Sequence, residues 1–547
     1  MRRSPRQLRG MRAAKFDLEL TPRQRDGAWV GFDVRYIADA PEVAAGQAVL
    51  SVPQTVVSIP GTPYRTEDLT VSDAEGPLTL SESAATADSS GEYRHWTADR
   101  ATRGALTVVF HAPVRPHDEH TPVGPLFDLR AEDLGLFGAG ITFLPLPGDV
   151  MHGAAPSYEI SLTWHLAEGV EAVSSRGIGD QAWCGPLQSV AFCCYAAGTP
   201  HRAPADSTDF AIHSYSVTPF DLDVMADYVR NLHTAFARFF EDPTSRYQIL
   251  IRKHLGRGTG GTAFRDSFAF GYSAVEETNP TDLRSLLAHE MAHNWPTLDA
   301  DHSTTSWYTE GTAEYYSHVL PLRAEFLSAE EFAAQLTDRF QQYDSNALRE
   351  LDNAAASAAY WTDPRAQRIP YGRGLRYLIA TDGEIRLTSD GAASLDDVVL
   401  DILRCQRAGG KVDVDGWIER VAMYLGPDAS ERYASMAAGN PIPLPDITFE
   451  GRVRPVASSV EEWQLGFDVS SFGGEGGRVT GLVPGSQAER AGLRNGDELV
   501  ERALPFHAIR HSDHEIELAV IRRGEPLTLR YLPAGARVAS LIWKVSA

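Results

Sequence analysis

The segment His289-Glu290-Met291-Ala292-His293 constrains this 547-residue chain more than any other. Two histidines four residues apart share one face of a helix, with their side chains about 5–6 Å apart. From there both can close on one metal ion, and a tetrahedral zinc takes imidazole nitrogens at about 2.0–2.1 Å. The flanking residues predict that helix. Asn279 and Pro280 suit a cap and a first helical position, and Leu283, Leu286, Leu287 and Met291 recur at helical spacing as a buried face. Glu290 is turned one step around the axis. It can touch a water in an open coordination position without becoming a ligand, which is where a general base belongs.

A catalytic zinc needs a third protein ligand and an open fourth position. Downstream the chain offers Asp299, His302, Glu310 and Glu314. Glu310 is the choice, because Glu310 and Glu314 fall one helical turn apart in the aromatic-rich run 307–316. One carboxylate can then bind metal while the other receives the N–H of a ligating histidine. Asp299, six residues after His293, occupies the third-ligand place of another zinc-protease class. That class also wants a glycine three residues after the second histidine, where this chain has Pro296.

These residues resemble the glycyl aminopeptidase family of gluzincin zinc metallopeptidases. The resemblance rests on residues 289–295, on Glu310-Gly311, on Tyr371-Gly372-Arg373-Gly374 and on a C-terminal PDZ-like block. It implies a β-rich N-terminal domain, a thermolysin-like α+β catalytic domain with a helical C-terminal half, and a PDZ domain. It further implies one zinc ion per chain on His289, His293 and Glu310, with Glu290 as base and Glu314 behind the ligands. Tyr371 is carried over from a Tyr-x-Lys-Gly motif whose phenol hydrogen-bonds the oxyanion. Arg373 replaces the lysine here and keeps its charge.

One departure bears on the substrate. The family's Gly-Gly-x-Glu segment holds the substrate's α-ammonium with a carboxylate, and this chain reads Gly260-Gly261-Thr262-Ala263. Ala263 cannot form that ion pair, although Asp266 or another nearby acid could stand in for it. Phe264, Phe268 and Phe270 around it read either as an apolar substrate wall or as a buried strand face. Three functions therefore remain open. They are an aminopeptidase for small N-terminal residues, a peptidase of the same fold that needs no free amine, and an inactive PDZ-based binding protein.

The rest of the chain supplies boundaries. Residues 1–12, with five arginines, read as a disordered tail. Residues 13–168 alternate in period two, as in Phe16, Leu18, Leu20 and Tyr158, Ile160, Leu162, Trp164, and predict an all-β sandwich-like domain. Its His117, His120 and His152 read as surface residues. Residues 169–440 form the expected catalytic domain, with a long amphipathic helix from Leu222 to Phe239, a central strand at 247–251 and later helices at 331–343, 375–380, 395–403 and 414–425. Pro441, Pro443 and Pro445 mark a linker over 441–458. In the remaining block, 459–547, Leu465-Gly466-Phe467 resembles the PDZ loop that cradles a peptide C-terminus.

Fifty Lys and Arg against 73 Asp and Glu, a net charge of −23, disfavour nucleic acid and anionic membranes as partners. Peptide substrate is the expected partner, and nothing in the sequence sets an oligomeric state. Cys184, Cys193, Cys194 and Cys405 are too few and too irregular for a disulfide framework and read as reduced, buried thiols. With no membrane-length apolar run and no secretory leader, a cytoplasmic enzyme is expected.

Overall fold

The computed structural model describes residues 14–546, apart from 58, 84–85, 89–90, 119–120, 122–123, 149–155, 243–245, 257, 279, 446–447, 473–476 and 501–511. The expected tail 1–12, His120, His152 and the cap residue Asn279 lie outside the described residues. Contacts divide the chain into two compact units, one of residues 1–231 and 244–283, the other of residues 232–243 and 284–547.

The first unit is β-rich. Strands β1 (Ala14–Arg25), β2 (Ala28–Ala38), β3 (Leu69–Asp73), β4 (Leu106–Pro113), β5 (Tyr158–Trp164) and β6 (Gln181–Gly185) run side by side in the order β6-β5-β1-β2-β4-β3. Alternation explains why they hold one register. Phe16, Leu18 and Leu20 are buried while Asp17 and Glu19 between them are not, and Phe16 faces Ile160 as Leu18 faces Leu162. Slipping by one residue would turn every one of these side chains to water.

The same core continues into a mixed sheet. Strands β7 (Phe210–Ser214), β8 (Tyr247–His254), β9 (Gly260–Phe264) and β10 (Ser267–Ser273) lie in the order β7-β8-β10-β9, with β9 antiparallel at the edge. Leu250, Phe264 and Ala269 belong to the hydrophobic cluster that begins at Phe16. The mixed sheet therefore packs as part of the β-rich unit, and the segment expected as one catalytic domain, 169–440, draws on both units. Phe264, Phe268 and Phe270 are at most 6% exposed, which makes them strand core.

The second unit is mainly helical. It takes the last turns of α1 (Leu222–Phe239), then α2 (Pro280–Ala292) from Arg284 onward, α3 (His302–Arg323), α4 (Ala329–Asp344), α5 (Ile369–Thr388), α6 (Leu395–Arg407), α7 (Val414–Leu425) and α8 (Asp428–Ala437). Helix α4 begins at a capping box, with the Ser328 hydroxyl accepting from the Glu331 amide and the Glu331 carboxylate accepting from the Ser328 amide. Trp307 on α3, Tyr377 on α5 and Trp417 on α7 meet at ring separations of 5.2 to 6.4 Å and fill the space between those helices.

The expected linker 441–458 is shorter than its prolines suggest. From Val453 the chain is strand β11 (Val453–Trp463), paired with β14 (Ala534–Val545). That ribbon is fastened to α4, since Trp543 packs on Phe340 at 5.3 Å and the Ser540 hydroxyl donates to Asp344 at 2.8 Å. Between its strands, β12 (Ile516–Arg522) and β13 (Glu525–Tyr531) form the expected hairpin, with Arg523 and Gly524 both at positive φ in its turn. Leu465 and Phe467 are buried in this module's own small core.

Two smaller expectations are corrected. Cys184 is exposed and Cys405 half-buried, so only Cys193 and Cys194 are buried thiols; Cys184 lies on β6, at the edge of the first sheet. His117 is half-buried, with its pKa lowered by burial and by Arg130 and Arg252. Among the described residues no helix is long and apolar enough to cross a membrane.

Candidate metal centre

Helix α2 ends at Ala292, so His289 sits in its last turn and His293 in the turn that follows, where the amides of Asn294 and Trp295 bond back to Met291 and Ala292. Their Nε2 atoms are 3.2 Å apart. Helix α3 brings Glu310, whose Oε2 lies 3.4 Å from His289 Nε2 and 3.5 Å from His293 Nε2. Ligands at about 2.0–2.1 Å from a tetrahedral zinc stand about 3.3 Å from one another. The observed triangle has those edges. Glu310 Oε2 is buried and makes no hydrogen bond, a costly state unless a cation takes the lone pair. Among the described residues, His289, His293 and Glu310 are the group whose donor atoms could hold a metal.

Beside this triangle α3 and α5 cross with almost no gap. A Cβ on Gly374 would stand 2.0 Å from the Trp307 carbonyl oxygen, and one on Gly311 would stand 2.6 Å from Gly374 Cα. Two glycines therefore let one backbone rest on the other. The same crossing sets Tyr371, three residues before Gly374, with its ring stacked on His289 at 5.6 Å and 12°. Burial and the charges of Glu310 and Glu290 hold the Tyr371 hydroxyl protonated well above its ordinary range, so it stays a donor at neutral pH.

Behind the triangle lies a charged relay. His289 Nδ1 faces Glu314 Oε1 at 3.4 Å, and Glu314 Oε2 stands 3.0 Å from Arg339 Nε. The histidine contact is too oblique to be a hydrogen bond in this geometry, so it acts as an ion pair. Burial would raise the Glu314 pKa, but Arg339, His289 and His318 pull it below the carboxylate range. Burial would lower the His289 pKa, yet Glu310, Glu314 and Glu290 carry it up to about 10. These acids create a place for positive charge, and a metal entering it displaces a proton. Glu314→Gln should weaken zinc binding about 10–100-fold with an unchanged circular dichroism spectrum. Chelator competition measures it, and a change below threefold would deny Glu314 this role.

The remaining expected residues are placed as follows. Glu290 is half-exposed beside the triangle, and its charge is felt at His289 and Tyr371. Asp299 is occupied elsewhere, accepting from the Val412 amide at 2.8 Å and from Gln406 at 2.9 Å. His302 is no part of the triangle and packs on Tyr360. Arg373 is fully buried and donates to Asn353 and to the carbonyls of Arg349 and Leu351, so it fastens a loop. Gly260, Gly261, Thr262 and Ala263 lie on edge strand β9 of the other unit. Gly466, at φ +86°, has its carbonyl bonded to the Val483 amide. Sequence reading missed Arg339 and Tyr360, for neither lies in a spaced motif.

His289, His293 and Glu310, with Glu290 beside them, are arranged so that one metal ion could be held. Residues 282–371 match the model of the M61 glycyl aminopeptidase family. No curated protein matches the chain. Among solved structures, an aminopeptidase N family protein from Idiomarina loihiensis superposes with a TM-score of 0.65 at 15% identity, over 97% of this chain and 98% of its own. An M1 zinc metallopeptidase from Deinococcus radiodurans, bound to a Tyr-Ser-Ala substrate, gives 0.47 at 16% identity, over 81% and 97%. Native yeast LTA4 hydrolase gives 0.49 at 13%, over 80% and 69%. The first of these shows a shared fold.

Proposed function

We propose that this protein is a zinc metallopeptidase of the gluzincin type, acting as an aminopeptidase on peptides with small N-terminal residues. The observation that carries the reading is the 3.2, 3.4 and 3.5 Å triangle of His289, His293 and Glu310, with Glu290 adjacent. These three residues would hold the zinc. When bound, zinc supplies Lewis-acid polarisation and makes water a stronger acid at neutral pH. Glu290 takes the proton of the attacking water and passes it to the leaving amine. The Tyr371 hydroxyl donates to the oxyanion as charge develops there. Glu314 holds His289 in the ring orientation that presents Nε2.

Gly260, Gly261, Thr262 and Ala263 offer a sheet edge to which an extended peptide can add as a strand. The C-terminal block is read as a PDZ-like domain whose Leu465-Gly466-Phe467 loop takes a peptide C-terminus. The chain is read as cytoplasmic. Ala263 favours a second reading, a peptidase of the same fold that does not require a free amine.

One peptide assayed with free and acetylated N-termini separates the two. An aminopeptidase should lose at least about tenfold in kcat/KM on acetylation, since a site built for a group penalises its absence. Equal rates would favour the second reading. Absence of metal-dependent hydrolysis on any peptide would sink both.

A further inference from the structure

Ten tryptophans occur in the chain, and Trp361 alone among them is classed as exposed, at 47%. A single exposed apolar residue needs no explanation by itself. The position of this one asks for one. Its ring meets that of Tyr360 edge-on at 4.6 Å, and Tyr360 meets His302 edge-on at 5.4 Å. The Tyr360 hydroxyl pairs with that of Tyr371, whose ring is stacked on His289. A continuous aromatic row thus leads from a candidate metal ligand, through Tyr371 and Tyr360, to an indole standing in solvent. Tyr360 is 5% exposed and contributes to the core, whereas Trp361 stands about half in solvent.

We propose that Trp361, backed by Tyr360 and His302, is a subsite wall that receives a large apolar or aromatic side chain on the residue that follows the scissile bond of a peptide. This rests on the peptidase reading and adds a substrate class to it. A side chain laid against an indole removes apolar surface of both from water and gains the preferred edge or offset ring contact. Discrimination of about tenfold over glycine is the expected size, in line with apolar pockets generally.

Tripeptide amides with an N-terminal Gly and with Gly, Leu, Phe or Lys after the cleaved bond test it with the full-length, zinc-loaded protein. At the residue after the cleaved bond, Phe and Leu should exceed Gly about tenfold in kcat/KM. Trp361→Ala should reduce that ratio to near one, and Trp361→Phe should keep most of it. A ratio unchanged in Trp361→Ala, no preference in the unaltered protein, or a preference for Lys over Phe would overturn the proposal. Calorimetric binding of the Phe and Gly peptides to Glu290→Gln protein, with and without Trp361→Ala, reads the subsite without turnover. If hydrolysis proves absent, the peptidase reading fails on its own. A Trp361-dependent preference in binding would then still uphold the wall, and equal binding would remove it.

Discussion

A Glu290→Gln protein should bind zinc as the unaltered chain does and hydrolyse peptides about 10²–10⁴ times more slowly. Glutamine keeps the size of the side chain and removes the basic oxygen. Glu290 lies outside the ligand triangle of His289, His293 and Glu310, so coordination should persist. Its negative charge raises the pKa of both His289 and Tyr371. Metal analysis and kcat on the same preparation decide the matter. Equal turnover with bound zinc would remove Glu290 from the mechanism.

The largest expected effect on stability comes from Asp128 in the β-rich unit. Its carboxylate, 1% exposed, accepts from Arg130 at 2.6 Å and Arg252 at 2.8 Å, with Arg115 at 3.2 Å. Burial would raise its pKa, but Arg252 and Arg130 hold it down to about 2. Burial and the neighbouring Arg252 in turn lower the Arg130 pKa to about 10. Asp128→Asn removes the charge that keeps two buried guanidiniums together and should cost about 3–5 kcal/mol, read as an earlier urea midpoint. The pH dependence has a definite sign. Because the folded pKa lies below the unfolded value of about 3.9, this stabilisation is complete above that pH and disappears as pH falls towards 2. The variant should therefore lose less stability between pH 5 and 2 than the unaltered protein. Parallel losses would place the effect elsewhere.

Much of the candidate site could be read directly. The spacing of His289 and His293 and the single turn between Glu310 and Glu314 are local facts of helical geometry, and the structure keeps both pairs on helices or at a helix end. The β alternation of Phe16, Leu18 and Leu20 was legible for the same reason. The extent of the linker at 441–458 was not, because proline marks where a chain stiffens and says nothing about the partner strand Ala534–Val545 much further along the chain. The partners of Arg373 were illegible for a related reason. A motif position fixes its place on the helix, while its burial under the Arg349 and Leu351 carbonyls depends on a loop elsewhere.

By itself the sequence determined which residues stand on one face of each element, since a period of two or 3.6 acts over a few residues and needs no partner. Only the tertiary structure decided that Glu310 closes the triangle while Glu314 turns to His289 and Arg339, that Asp299 is spent on Val412, and that Trp361 is left in water. The physical reason is that each of these outcomes depends on residues from other elements, which spacing within one element cannot set. A period places a side chain on a face, and only the packing of that face against another element selects which of its carboxylates can reach two imidazoles.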